Sequence, residues 1–212
     1  MKHDDLRSQS VVFVIDDDNA MREGLSSLFQ SVGLQVEAFA SAPEFLAGER
    51  PDVASCLVLD VRLPGPSGLD FQAELARANV QIPIVFMTGH GDIPMTVRAM
   101  KAGAVEFLPK PFRDQDMLDA VRAGLEQDRH RRKDASDASR LKLNFDSLTP
   151  REQQIMGFVA SGLMSKQIAH EIGVSEVTVK VRRGSIMRKM GAKSLAELVL
   201  MAETLGVRRK PK

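Results

Sequence analysis

The chain has a single cysteine, Cys56, in 212 residues, which excludes an internal disulfide and fits a reducing compartment. That cysteine lies in the apolar run ASCLVLD, where a thiol serves as a small core side chain rather than a reactive group. Long apolar runs are missing too. None approaches the roughly 20 residues needed to cross a bilayer, and the opening MKHDDLRSQS does not read as a secretory signal. There is no internal repeat, and no low-complexity stretch beyond one polar segment past the middle. The expectation is a cytoplasmic protein without a membrane partner.

What is present divides in two. Hydrophobic residues make up 43% and charged residues 27%, the balance of an ordinary globular protein, and the length suits two domains. The net charge of +1 conceals opposed halves. Residues 1–126 carry 11 Lys/Arg against 19 Asp/Glu, whereas residues 127–212 carry 18 against 9. The second half is therefore suited to a polyanion and the first is not.

Apolar runs alternate with amphipathic segments as far as residue 127. The runs are Val11–Ile15, Gln35–Phe39, Ala54–Leu59, Pro83–Met87 and Val105–Leu108, and they read as strands buried on both faces of a parallel sheet. Helix starts lie between them: Asp18 before a stripe of Met21, Leu25, Leu28 and Val32 that Gly33 stops, Ser41 before Glu44, Ser67 before Asp70, and Asp92 before Pro94. This β-α alternation predicts a doubly wound α/β domain with helices on both faces. Residues 128–146, DRHRRKDASDASRLKLNFD, bury little and read as a linker, open to extending the preceding helix or to running as coil. From residue 147 the pattern is helical throughout. Thr149, Pro150 and Glu152 open the first of four helices near 150–161, 165–172, 176–190 and 193–205.

Asp16 and Asp17 follow strand one, Asp60 strand three, Thr88 strand four and Lys110 strand five. Ligands of open parallel sheets bind beyond the carboxyl ends of the strands, so three carboxylates, a hydroxyl and an ammonium converge on one rim. Two carboxylates about 4 Å apart repel by roughly 4 kcal/mol at an effective dielectric near 20. A hard dication such as Mg²⁺ relieves that repulsion, and it takes few carboxylates besides water and phosphate oxygens. An aspartate can also attack phosphorus to form an acyl phosphate, a transfer helped by Mg²⁺ and a lysine. Asp18 fits a helix cap better than a metal ligand.

The motifs VIDDD, LVLDVRLPGPSG, MTGHGD and FLPKPF, in that order and spacing, make residues 11–127 similar to the receiver domain of two-component response regulators. The resemblance implies a five-stranded flavodoxin-like fold and a phosphoryl group accepted by Asp60 from a cognate sensor histidine kinase. It implies Mg²⁺ held by Asp16, Asp17, Asp60 and the backbone carbonyl of Arg62, with Thr88 and Lys110 on the phosphoryl group. Phe107 stands at the family's switch aromatic, and Lys110-Pro111 where a cis peptide is common.

In the basic half, SKQIAHEIGVSEVTVKVRRGSIMRKM reads as helix, turn, helix. Ile168, Ala169 and Ile172 face inward, Gly173 turns and Ser175 caps. On the second helix Val179, Ile186 and Met190 fall on one side, leaving Lys180, Val181, Arg182, Arg183, Gly184 and Arg188 for DNA in a major groove. Residues 147–206 resemble a LuxR-type (NarL/FixJ-like) four-helix DNA-binding domain. Relatives often have His-Arg where Arg182-Arg183 stands, and several have lysine in place of Gly184. The last helix carries the stripe Leu195, Leu198, Val199, Ala202 and Leu205, and the family uses this helix for dimerisation. The tail VRRKPK is basic.

The expected organisation is thus a receiver at 1–127, a linker at 128–146 and an all-α helix-turn-helix domain at 147–212. The expected function is transcription regulation through phosphorylation-dependent homodimerisation and promoter binding, with RNA polymerase a further candidate partner. Phosphorylation is expected to draw Thr88 inward, with Phe107 following. A Mg²⁺-dependent phosphohydrolase is the rival reading, but such enzymes need an acid two residues after the nucleophile, where Arg62 stands; slow self-dephosphorylation is all that is expected. A second rival is a receiver that dimerises independently of phosphate.

Overall fold

The computed structural model describes residues 10–89 and 93–207. The runs of alternating large apolar side chains form β1 (Ser10–Ile15), β2 (Gln35–Phe39), β3 (Ala54–Asp60), β4 (Ile84–Thr88) and β5 (Glu106–Pro109). They pair in parallel in the order β2-β1-β3-β4-β5. Because successive strand side chains point to opposite faces, Phe13, Ile15, Leu57, Leu59 and Phe86 enter one core while Val12, Val14, Cys56, Val58, Val85 and Met87 enter another. Helices α1 (Asn19–Ser31) and α5 (Asp114–Asp146) close the second core through Leu25, Phe29, Met117, Val121 and Leu125. Helices α2 (Ala42–Ala47), α3 (Gly68–Arg77) and α4 (Ile93–Lys101) close the first with Phe45, Phe71, Leu75 and Ala99. There the Phe45 ring packs edge-on against Phe13 at 5.3 Å and Phe71 at 6.0 Å.

The expected doubly wound fold is present, with one difference. The sequence β2, QVEAF, is largely exposed rather than buried on both faces, since among the described residues it is an edge strand paired with β1 alone. The caps fall where the sequence places them: Asp18 accepts from Ala20 N, Ser41 from Glu44 N and Ser67 from Asp70 N. On α1 the fully buried residue is Phe29, one turn beyond Leu25 and outside the expected stripe, whose other members Met21, Leu28 and Val32 are only partly buried. The expected Asp92 cap and the residues beyond Val207 of the basic tail lie outside the described residues.

The segment expected to be a linker is helical, since α5 continues to Asp146. Internal contacts divide the chain after Arg132, five residues past the expected end of the first domain at 127. Asp128 explains the shift. It is 0% exposed, and its Oδ2 accepts from the Ser55 amide at 3.0 Å and from Arg132 Nε at 2.7 Å. Its Oδ1 takes the fork of Arg131 at 2.9 and 2.6 Å. Arg132 also pairs with Asp52, and Arg129 donates to the buried Ser10 Oγ at 2.8 Å. What reads as solvated charge therefore seals the amino-terminal ends of β1 and β3.

The second unit holds α6 (Pro150–Ala160), α7 (Ser165–Ile172), α8 (Glu176–Met190) and α9 (Leu195–Thr204). Thr149 and Glu152 form the expected capping box. Ile155, Met156, Ile168, Val179, Ile186, Met190, Leu198 and Ala202 make its core.

Candidate functional site

The strand order reverses between β1 and β3, and a crevice beyond their carboxyl ends is where such sheets bind ligands. Ile15 pairs with Leu59, so the next residues, Asp16 and Asp60, emerge on neighbouring strands. Lys110, following β5, joins them: its Nζ is 2.7 Å from Asp16 Oδ2 and 2.9 Å from Asp60 Oδ1. The remaining oxygens are also engaged, Asp60 Oδ2 by the Arg62 amide at 2.7 Å and Asp16 Oδ1 by the Asp18 amide at 2.8 Å. Thr88 is fully buried at the end of β4, and its carbonyl accepts the Lys110 amide at 2.7 Å. Lys110-Pro111 is cis, as the resemblance implies.

Burial raises the Asp60 carboxyl above its ordinary range, and the neighbouring Asp16 charge adds to this against the pull of Lys110 and the Arg62 amide. For Lys110, burial acts downward, but hydrogen bonds and charge from Asp16 and Asp60 outweigh it and hold the ammonium above its usual value. The loop after β3 is tightly seated. A Cβ at Gly68 would lie 2.4 Å from the Asp60 carbonyl oxygen, so only glycine fits there, and its amide donates to the Val61 carbonyl.

Asp17 is exposed, and among the described residues no three acidic, histidine or cysteine side chains form a ready metal-ligating group. The Asp16 and Asp60 oxygens are instead held by Lys110 and backbone amides. The donors are nonetheless all oxygen, and two carboxylates with adjoining carbonyls match what Mg²⁺ takes when waters complete its shell, so the residues fit that ion. Phe107 is buried, 8% exposed with its ring 6.1 Å from Phe86, and Thr88 is buried with it. Arg22 was not expected in the site: its Nη1 donates to the Asp16 carbonyl at 2.8 Å and the Asp17 carbonyl at 3.0 Å. Hydrogen bonds to main-chain oxygens leave no sequence pattern.

The basic helix α8 buries Val179, Ile186 and Met190, as the spacing predicts. Lys180, Val181, Gly184 and Arg188 are exposed. Val177, one turn before Val181, is 70% exposed and was not singled out by sequence. Val177, Val181, Gly184 and Arg188 recur at helical spacing opposite the buried stripe, the face a major groove meets first. Arg182 and Arg183 are half-buried at its flanks, and Arg183 is tied to Ser165 Oγ at 2.8 Å. Lys180 pairs with Glu176 at 2.9 Å on the exposed surface.

Comparison with known proteins agrees with both halves. Residues 12–122 match the model of the response regulator receiver domain, and residues 146–202 that of the luxR family of bacterial regulatory proteins. The chain is 60% identical over 205 residues to nodulation protein W of Bradyrhizobium diazoefficiens, covering 97% of this chain and 90% of that one. It is a response regulator. Its structure is similar to that of the response regulator StyR, with a TM-score of 0.84 and 53% identity over 92% of this chain and 98% of the other. It also resembles full-length FixJ from B. japonicum, with a TM-score of 0.57 and 38% identity over 95% and 100% of the two chains. This response regulator thus joins a receiver to a LuxR-type DNA-binding domain, the composition of a transcription regulator rather than a classical enzyme. The pairing implies a kinase acting on the first domain and DNA bound by the second. No described helix is long and apolar enough to cross a membrane.

Proposed function

We propose that Asp60 is the phosphoacceptor, taking the phosphoryl group of a sensor histidine kinase into the pocket it shares with Asp16 and Lys110. The observation that carries this reading is the Lys110 ammonium held between the two carboxylates at the switch point of the sheet. An Asp60 oxygen attacks phosphorus, the P–N bond to the kinase histidine breaks, and an acyl phosphate results. Lys110 pairs with the added negative charge, and the Thr88 hydroxyl is the hydrogen-bonding partner supplied by β4. Mg²⁺, when held by Asp16, Asp17, Asp60 and the Arg62 carbonyl, supplies neutralisation of the phosphoryl oxygens. Hydrolysis of the acyl phosphate is a slow side activity.

Phosphorylation stabilises the buried arrangement of Thr88 and Phe107, and the neighbouring face then pairs two receivers. Ile93, 81% exposed, with Val97 and Met100 makes an apolar stripe along α4 that supports this reading. Leu195 and the half-buried Val199, one turn apart on α9, offer a second pairing surface, while Leu198 and Ala202 serve the domain's own core. Dimerisation sets two α8 helices on adjacent half-sites of a cytoplasmic promoter, where RNA polymerase is engaged. Lys180, Val181, Arg182, Arg183, Gly184 and Arg188 form the DNA-contacting set, with residues 1–127 acting as receiver and 147–212 as output.

Treatment with a small phosphodonor, borohydride reduction of the adduct and peptide mapping test the assignment. Label on Asp60 alone, absent from Asp60→Asn and accompanied by dimerisation and tighter DNA binding, is the expected result. Label elsewhere would overturn the assignment. Dimerisation and DNA binding indifferent to the donor would favour a receiver that pairs without phosphate.

A further inference from the structure

We infer that Arg22 is a positioning residue for the cation pocket, acting through the backbone of Asp17; this rests on the reading of that pocket as a Mg²⁺ and phosphoryl site. The Asp16 carbonyl belongs to the peptide plane before Asp17, and the Asp17 carbonyl to the plane after it. One nitrogen of Arg22 takes both, at 2.8 and 3.0 Å. Fixing two successive peptide planes fixes φ and ψ of the residue between them, and hence the direction of its Cα–Cβ bond.

That constraint matters most at Asp17. Asp16 and Asp60 are aimed by Lys110 and by backbone amides. Among the described residues no hydrogen bond or ion pair holds the Asp17 side chain, so its aim depends on its backbone. The guanidinium is itself anchored, with Nη2 donating to Asn19 Oδ1 at 2.8 Å and Asn19 Nδ2 to Glu23 Oε1 at 2.7 Å. On the opposite side the Asp16 amide donates to the Phe39 carbonyl at 3.3 Å, so the loop between β1 and α1 is braced from both directions.

Charge and positioning make opposite demands here. A guanidinium near a dication repels it, so if Arg22 acted only by its charge, removing it would tighten Mg²⁺ binding. If it acts as a brace, removing it weakens binding, because groups that orient metal ligands are worth roughly 10- to 100-fold in affinity. The sign of the change decides.

The test is calorimetric titration of the full chain with MgCl₂, without phosphodonor, for wild type, Arg22→Ala and Arg22→Lys. The chain has no tryptophan or tyrosine, so calorimetry replaces intrinsic fluorescence. The expected result is a loss of Mg²⁺ affinity of roughly 10-fold for Arg22→Ala. Arg22→Lys keeps the charge but lacks the planar fork, and stays weakened. The rate of Asp60 labelling by a small phosphodonor should fall at low Mg²⁺ and recover at saturating Mg²⁺. Circular dichroism melting checks folding; if Arg22→Ala does not fold, Arg22→Lys decides alone. Wild type that binds Mg²⁺ beside variants that bind it as tightly or more tightly overturns the inference only. Wild type that binds no Mg²⁺ overturns the reading of the pocket beneath it.

Discussion

Lys110 Nζ stands 2.9 Å from Asp60 Oδ1 while also holding Asp16. Both carboxylates are almost fully buried and the ammonium is 21% exposed, so the lysine is the charge balance of the pocket in the described state. Lys110→Ala leaves two acids facing one another. The expected loss is about 2 kcal/mol, below the value for a fully buried pair because solvent reaches the ammonium. Urea denaturation should show it, and Mg²⁺ should restore more stability to the variant than it adds to wild type.

Glu152 gives the second unit its acid sensitivity. Its carboxylate accepts from Lys189 at 2.7 Å, from Ser185 at 2.8 Å and from the Thr149 amide at 2.9 Å. The Lys189 bond, with those of Thr149 and Ser185, lowers its pKa from 4.5 to about 2 against the opposing effect of burial. A carboxylate with a lowered folded pKa contributes stability that is complete above its unfolded value and lost as pH falls through the folded one. Scanning calorimetry of wild type and Glu152→Gln should show a difference that is full above about pH 4.5 and shrinks toward pH 2.

Gly124 on α5 faces Cys56 on β3, and a Cβ there would sit 2.6 Å from Sγ. Gly124→Ala should destabilise the receiver by about 1–3 kcal/mol through overpacking. Cys56→Ala removes the clashing sulfur, so the double variant should recover part of that loss, giving a coupling energy in chemical denaturation. Additive losses would contradict the close approach.

On α8, Arg188 is exposed and Arg183 is held by Ser165. With a mixed-sequence duplex, Arg188→Ala should weaken binding and reduce the slope of log affinity against log salt by about 1. Arg183→Ala should change that slope less.

Much of this was legible in sequence because of where burial lies. β1, β3 and β4 are covered on both faces, so they stand out as unbroken apolar runs, whereas QVEAF reads as a strand but, at the edge of the sheet, is not buried on both faces. Caps at Asp18, Ser41, Ser67 and Thr149 are local and were legible for that reason. The pocket was legible as a set of residues after strand ends. The bracing of its loop by Arg22 was not, because a side chain bound to main-chain carbonyls has no partner residue to betray it. Asp128 was missed for a related cause: its partner is the amide of Ser55, 73 positions away, and DRHRRK looks like solvated charge until the sheet brings the two together.

Asp128 also bears on where this polypeptide can be divided. A receiver fragment ended at residue 127 would lose the carboxylate bonded to the Ser55 amide, together with Arg129 on Ser10 and Arg132 on Asp52. A fragment carried through Arg132 keeps all of these, so five residues separate a frayed truncation product from an intact one.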